Sequence, residues 1–399
     1  MRGFNISYKC LLLAMLTTAL LPSCNVWQDD LQGSEDGAEN VNEFILNMNI
    51  TARQVDTRAA DHEVWNDKDD KDKNADNFIN IDGGDYCVYI LDGNGDRIIK
   101  QFTPSLTTKT ADGSYRLSGK FTYDPTKMTT FRLMVMANWK AFGGNYPENI
   151  TDGSTVLSSL YSDRTNFNFT YPTTQGAKSW FPGEAQGQGI PMFGLSNVIT
   201  IPKFKYGFVP ELEVGSIPML RALAKIVVVN AIDESTQKDK VEILSCKLTK
   251  YNINGRFIPD GTENPDWNKE ETQVENPSLI TSPSLPNQTE QGTDLQFIQS
   301  EDKKTFTAYI PEMIVKELEV KPYIEVEAKV GDDPEARKYK IQLGEYGEKS
   351  HEFVPDSYFD AILRNHRYEY DVVSIIHGIH LDNPNDWDGW FDGFNNKEN

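Results

Sequence analysis

Apolar and polar residues alternate with a period of two over several parts of the chain. Residues 44–50 follow this pattern near the start, and residues 324–330 follow it far downstream. Successive side chains of a strand point to opposite faces, so this period predicts strands with one buried face. In the first of these strands, the predicted inward side chains are Phe44, Leu46, Met48 and Ile50.

Other segments complete the prediction of a mostly-β protein with few short helices. Mostly apolar runs at residues 131–137 and 224–230 indicate buried strands, and residues 91–96 indicate a hairpin turn between two apolar runs. We expect short helices at 155–161 and 356–363. The length of 399 residues suits two β-sandwich domains of about 160 residues each.

The start of the chain has the layout of an export signal. Arg2 and Lys9 precede an apolar run that ends in Leu21-Pro22-Ser23-Cys24 and is too short to span a bilayer well. This pattern resembles a bacterial lipoprotein signal, which predicts a signal peptide at 1–23 and lipid on Cys24; an ordinary signal peptide is the alternative. The polar, acidic residues that follow resemble the surface-export signal of Bacteroidetes lipoproteins.

A second processing signal follows the first predicted strand. Arg58 and Ala59 lie in a polar segment, and Arg53 is a second candidate nearer to the strand. Cleavage between Arg58 and Ala59 would remove residues 24–58, a lipidated propeptide that carries the strand. The alternative is that Arg58 is an ordinary surface arginine.

Charge and cysteine content limit the functional classes. The net charge of −21 argues against nucleic acid as a partner, because phosphate binding requires a basic face. Beyond Cys10 and Cys24, Cys87 and Cys246 lie in apolar runs. They are expected to be buried thiols, although a disulfide between them is possible in an oxidising compartment.

The residues that could carry catalysis or bind metal show no recognisable spacing. His377 and His380 are three residues apart, which places them on opposite faces of a strand without a third ligand. Residues 67–77 are rich in Asp and Lys but lack the spacing of a calcium loop, so a solvated loop is expected. We therefore predict no catalytic residue, metal or cofactor; a secreted glycan-active enzyme is a weak alternative.

Five short blocks, in order, resemble the fimbrillin superfamily, the type V pilins of Bacteroidales. The first is the lipoprotein signal with the alternating strand and the Arg-Ala pair. The others are residues 133–138, 190–194, 220–227 (with the pattern Arg-x-x-Ala-Lys) and 363–370 (Arg-Asn-His-x-Tyr). The resemblance is spread over most of the chain but rests on these blocks.

This resemblance implies two transthyretin-like β-sandwich domains, assigned to residues 59–208 and 209–399. It also implies a lipidated outer-membrane precursor that becomes a subunit of a cell-surface fimbrium. An Arg-specific protease removes the first strand, and a strand from another fimbrial subunit fills the groove. Apart from the resemblance, a surface receptor or glycan, of the host or of bacteria, is a further candidate partner.

The end of the chain departs from the pattern of shaft pilins, which finish with alternating strands that serve as donors. Residues 370–376 form the last clear predicted strand, and the Pro, Gly and Asp content after residue 377 disfavours another. A subunit that accepts a strand but has no donor strand of its own is expected at the tip of the fimbrium. The alternatives are a shaft subunit, an anchor subunit and a non-polymerising glycan-binding lipoprotein. A candidate aromatic contact surface, for sugars or for a partner's pocket, comprises Trp387, Trp390, Phe391 and Phe394; the alternative is that these rings fold back onto the C-terminal sandwich.

Overall fold

Strands dominate the part of the chain that the structure describes. The structure is a computed structural model, and it describes residues 42–51, 76–93, 97–110, 114–143, 155–156, 168–172, 178–183, 187–203, 209–233, 235, 240–258, 291–346, 350, 352–375 and 380–382. A single 3-10 turn, Lys140–Phe142, interrupts the strands in these ranges. The mostly-β prediction is confirmed.

The strands up to Arg221 build two sheets. They are β1 Glu43–Thr51, β2 Tyr86–Asp92, β3 Arg97–Phe102, β4 Leu106–Lys109, β5 Tyr115–Thr122, β6 Thr130–Ala137, β7 Thr155–Val156, β8 Asn168–Thr170, β9 Met192–Leu195, β10 Ile199–Thr200, β11 Glu211–Pro218 and β12 Leu220–Arg221. Sheet I has the order β11-β1-β5-β4, and sheet II has the order β12-β9-β6-β2-β3-β7 with β10 also paired to β6. Their inner faces pack together, since the Phe121 ring of sheet I lies 5.5 Å from the Phe131 ring of sheet II.

The strands after Arg221 build two further sheets. They are β13 Leu223–Asn230, β14 Val241–Asn252, β15 Asn254–Arg256, β16 Gln291–Gln296, β17 Ile298–Gln299, β18 Thr305–Pro311, β19 Met313–Ile314, β20 Tyr323–Val330, β21 Arg337–Gln342, β22 Gly344–Tyr346, β23 Phe353–Tyr358, β24 Ala361–Ile362, β25 Arg367–Ser374 and β26 His380–Asp382. Sheet III has the order β17-β18-β13-β25-β26, and sheet IV has the order β16-β14-β20-β21. Small pairs are formed by β15 with β8, β19 with β24, and β22 with β23.

Sheets I and III share one arrangement of strands. In sheet I, β1 lies between β11, which runs parallel to it, and β5, which runs antiparallel. In sheet III, β13 likewise lies between parallel β25 and antiparallel β18. Each half of the chain therefore brings a late strand back beside its first strand, as two domains of one architecture would.

The domain boundary predicted at 208/209 stays a prediction. All described residues fall in one of the two compact units of the chain, which comprises Asn42–Lys203 and Val209–Asn399. Strands β11 and β12 follow position 208 but pair within sheets I and II, so the change of sheet occurs near residue 222.

Two predictions from the sequence are wrong. The expected helix at 356–363 is instead occupied by β23 and β24, and Asp356 has a φ of 62°, which is incompatible with an α-helix. The expectation of no strand after residue 376 also fails, because β26 pairs antiparallel with β25. At the other helix candidate, residues 155–156 form β7, and residues 157–161 lie outside the described ranges.

Candidate functional site

The first strand, β1, is seated in the core of sheet I. The four side chains predicted to face inward are each no more than 1% exposed: Phe44, Leu46, Met48 and Ile50. The Phe44 ring lies edge-on to Phe121 at 5.0 Å and to Tyr123 at 5.5 Å. The predicted inward face is confirmed.

Both backbone edges of β1 are paired. Eight residues from Glu43 to Ile50 lie opposite β5, and the other edge runs beside β11. Hydrogen bonds extend the pairing beyond the ladder: the Ile45 N–H donates to the Pro210 carbonyl and the Met219 N–H to the Thr51 carbonyl, each at 2.8 Å. β1 is therefore an internal strand, although it lies near the start of the chain.

The register between β1 and β11 shifts by one residue at a β-bulge. Asn47 lies opposite Glu213 and Asn49 opposite Ser216, so β11 holds one more residue than β1 in this interval. Gly215 in the bulge has a φ of 86°, a conformation that favours glycine. A strand in the position of β1 therefore pairs with β11 in one register before the bulge and in a register shifted by one residue after it.

The outer face of β1 carries a polar contact that spans three strands. Asn47 is only 3% exposed although it points away from the core. Its Nδ2 donates to Glu213 Oε1 at 2.9 Å and to Glu211 Oε2 at 3.3 Å, while Ser118 Oγ donates to its Oδ1. This side chain joins β11 to β5 across β1.

Asp76, the first described residue after β1, forms a buried ionic anchor. Asp76 Oδ2 accepts from Lys225 Nζ on β13 at 2.8 Å, and Oδ1 accepts from the Tyr309 hydroxyl on β18. Only 4% of the Lys225 side chain and 11% of the Asp76 side chain are exposed. Breaking such a buried pair is costly, so this contact fixes the start of residues 76–93 to sheet III.

Two of the family-like blocks meet at this anchor. Arg221 Nε donates to the Asp76 carbonyl at 2.8 Å, and Arg221 Nη1 donates to Asn365 Oδ1 at 3.1 Å. Asn365 has a φ of 58°, a conformation that Asn tolerates better than most residues. The residue types of the 220–227 and 363–370 blocks thus have a structural explanation in the packing of the fold.

Asn138 joins the family-like blocks at residues 133–138 and 190–194. It has a φ of 64°, and its Nδ2 donates to the carbonyls of Phe78 and Ile190, both at 2.8 Å. A Cβ atom on Gly189 would lie 2.1 Å from that Nδ2, so glycine is required there. Asn138 thus connects residues 76–93 to sheet II, and Asp76 connects the same residues to sheet III.

A second buried ion pair supports the 363–370 block. Arg364 Nη2 donates to Glu312 Oε2 at 2.7 Å, and Nη1 donates to the Phe257 carbonyl at 2.9 Å. The Nδ1–H of the neighbouring His366 donates to the Arg364 carbonyl at 2.7 Å, and burial lowers the pKa of its imidazole.

The remaining predicted site residues lie outside the described ranges. These are Cys24, Arg58, Ala59, Trp387, Trp390, Phe391 and Phe394. Their roles stay predictions. Cys87 and Cys246 are buried thiols not joined in a disulfide, and burial raises the pKa of the Cys246 thiol.

Asp76 and Asn47 make the main polar contacts of this site, and neither is identified from the sequence. Asp76 lies at the end of an acidic segment that was expected to be solvated, yet it is 8% exposed. A lysine inside the apolar 220–227 run was a usable signal, because a buried ammonium group requires a carboxylate partner. No comparable signal distinguishes Asn47 from Asn49.

The described ranges show neither a metal-binding cluster nor a membrane-spanning helix. They contain no cluster of three or more His, Cys, Asp or Glu side chains arranged to hold a metal ion. Within the same ranges, no helix is long and apolar enough to cross a membrane.

Comparison with known proteins gives matches among solved structures only. No family model and no curated protein matches the chain. The tip fimbrial protein Mfa3 of Porphyromonas gingivalis, with C-terminal truncation, is similar at 12% identity and a TM-score of 0.49, over 86% of this chain and 98% of that chain. A fimbrial assembly protein of Parabacteroides distasonis matches at 14% identity and a TM-score of 0.40, over 85% of this chain and 94% of that chain.

The fimbrial anchor protein Mfa2 of Porphyromonas gingivalis is also similar. It matches at 11% identity and a TM-score of 0.36, over 85% of this chain and 95% of that chain. Similarities this low do not assign a function, so the case for function rests on the residues of this chain.

Proposed function

We propose that this protein is a subunit of a cell-surface fimbrium that accepts a strand from another subunit after losing its own first strand. The observation that carries this proposal is the position of β1: it is buried and paired on both edges, yet it lies near the start of the chain. The polar segment that follows it contains Arg58. The resemblance of the five blocks to fimbrillins agrees with this assignment.

Removal of β1 would leave a gap one strand wide between β5 and β11. Adjacent strands lie about 4.8 Å apart, so the exposed edges would face each other across about 10 Å. The four inward side chains account for about 6–12 kcal/mol of apolar burial before entropy costs. A strand with a similar apolar face can recover this free energy by β-strand addition.

Within the fimbrium, we assign the protein to the tip. A subunit that accepts a strand but donates none can occupy only the terminal position. The short strand β26 supports this assignment, because residues 380–382 pair with β25 of the same chain. The shaft and anchor roles remain the alternatives.

The proposal includes a lipidated precursor on the outer membrane and a mature form released by proteolysis. Lipid on Cys24 would tether the export intermediate, and cleavage after Arg58 would free the body of the protein. The aromatic residues between 387 and 394 are the proposed contact for a surface receptor or glycan.

N-terminal sequencing of the mature surface form tests the cleavage. The mature wild-type protein is expected to begin at Ala59, whereas an Arg58→Ala variant is expected to retain β1 and the lipid. Arg53→Ala is the matched control and should mature like the wild type. A wild-type surface form that begins at Cys24 would exclude removal of the strand.

Deletion of residues 383–399 tests the tip assignment, because it spares β26. Immunogold labelling of the truncated and full-length proteins should mark one end of each filament. Label along the length of the filament would instead identify a shaft subunit.

A further inference from the structure

We infer that the polar side chains beside Asn47 form a recognition site that distinguishes one incoming strand from another. This inference rests on the proposed function, because it concerns the strand that would replace β1. The apolar inner face of the groove accepts many alternating sequences, so it specifies an inward face but not a unique register. A polar contact at a fixed position can supply that missing register.

The position of Asn47 makes it such a contact. Asn47 lies directly opposite Ser118 on one side and Glu213 on the other. Glu211 lies two residues from Glu213 and turns its carboxylate toward the same amide. The site therefore offers a hydroxyl on β5 and two carboxylates on β11.

A neutral amide meets the hydrogen-bonding needs of both sides. Its NH₂ group donates to Glu211 and Glu213, while its oxygen accepts from the Ser118 hydroxyl. A carboxylate of the same shape has no donor and would face two like charges. An apolar side chain would form none of these three hydrogen bonds, and it would cover the half-buried Ser118 hydroxyl without giving it a partner.

The charges around the site are only partly balanced. Arg116 forms an ion pair with Glu213, and both of these side chains are about half exposed, at 42% and 54%. Lys120 pairs with Glu43 at 2.6 Å, farther along the strand. Neither cation contacts Glu211, so negative charge remains beside the amide.

We propose that Ser118, Glu211 and Glu213 select an incoming strand that carries Asn or Gln at the position of Asn47. This side chain sets the register, and strands with Asp, Glu or an apolar residue at this position bind more weakly. The partner is thus a subunit whose donor strand combines alternating apolar residues with one amide on its outer face.

Asn49 provides a matched control on the same face of β1. It lies opposite Arg116 and Ser216 and is half-buried. A carboxylate at this position faces a cation rather than two carboxylates. Asn49→Asp therefore adds the same charge without the same repulsion.

The test uses the protein cleaved after Arg58, from which the fragment that contains β1 has been removed. Labelled synthetic peptides of residues 42–51 are added, and their dissociation constants are measured by fluorescence anisotropy. We expect the Asn47→Asp and Asn47→Leu peptides to bind about tenfold more weakly than the wild-type peptide. The Asn49→Asp peptide should bind within about twofold of the wild type.

A compensating change in the acceptor sharpens the assignment. Glu213→Gln supplies an amide donor to a carboxylate, so it should recover part of the affinity lost by the Asn47→Asp peptide. Equal weakening by the two Asp peptides would overturn the recognition site while leaving strand exchange intact. Failure of the wild-type peptide to bind would instead overturn strand exchange itself.

A second measurement does not require removal of the strand. In the uncut protein, hydrogen exchange of the β1 amides should be about tenfold faster in Asn47→Asp than in Asn49→Asp. Equal exchange in the two variants would contradict the proposal.

Discussion

Strands β1 and β13 occupy equivalent positions but are held in different ways. Each lies between a parallel and an antiparallel neighbour, and each carries a buried apolar face. On β1, Asn47 makes hydrogen bonds to both neighbouring strands, and Glu43 forms a partly exposed pair with Lys120. β13 instead carries Lys225, whose ion pair with Asp76 is buried.

This difference indicates how one strand can leave while its counterpart stays. Burial of apolar side chains is similar in β1 and β13, so it does not distinguish them. The buried ion pair and the hydrogen bonds of Arg221 hold residues 76–93 to sheet III independently of β1. The described chain after β1 would thus keep its own anchor under the proposed removal of the strand.

The largest loss of stability is expected when the ion pair between Lys225 of β13 and Asp76 is broken. Lys225→Met leaves the Asp76 carboxylate buried without its cation, so the free energy of unfolding should fall by about 3–5 kcal/mol in chemical denaturation. Lys120→Met removes the corresponding partly exposed pair on β1 and should cost about 0–1 kcal/mol.

A double variant separates loss of the ion pair from loss of packing. Asp76→Asn combined with Lys225→Met should be more stable than Lys225→Met alone, because no buried charge is left unpaired. Equal losses in Lys225→Met and Lys120→Met would remove the distinction between the two strands.

An intermediate effect is expected from truncating one inward side chain in each strand. Leu46→Ala in β1 and Ile226→Ala in β13 should each lower the free energy of unfolding of the uncut protein by about 2–5 kcal/mol. After cleavage at Arg58, Leu46→Ala should release the strand fragment faster in size-exclusion chromatography. If Ile226→Ala accelerates release equally, β1 does not separate independently of sheet III.

The smallest effect concerns His366, which lies just before β25. Burial lowers the pKa of its imidazole below the ordinary value of about 6.5, so below that pH the unfolded chain binds a proton that the folded chain resists. Its contribution to stability is complete above about pH 6.5 and declines as the pH falls toward the lowered pKa.

Replacing His366 should therefore reduce the pH dependence of unfolding. In His366→Asn, the loss of stability between about pH 6.5 and 5.5 should be smaller than in the wild type by at most about 1 kcal/mol. Denaturation curves at these two pH values measure the difference. Parallel losses in the two proteins would mean that His366 does not titrate differently on folding.

The sequence was sufficient to predict the strands whose burial follows from local alternation or apolar runs. β1, β6, β13 and β20 were found in this way, as was the inward face of β1. The helix expected at 356–363 failed because pairing of β23 with β22 and of β24 with β19 outweighs local helical spacing. Short strands such as β26 carry too few residues to show a period.

The polar contacts could not be predicted because they depend on partners far away in the chain. Asp76 and Lys225 are separated by 149 positions, and Asn47 and Glu213 by 166. Nothing in the neighbouring sequence shows that Asp76 is buried or that Asn47, unlike Asn49, joins two strands. Such contacts become visible only when the sheet order is known.

Hydrogen–deuterium exchange of the cleaved protein, before and after removal of β1, shows whether the rest of the protein stays folded without this strand. The amides of β5 and β11 should lose protection when β1 leaves and regain it when the peptide of residues 42–51 is added. Those of β13 and β25 should stay protected throughout. Loss of protection in all four strands on removal of β1 would contradict the account, because the body of the protein would then depend on the strand it is proposed to lose.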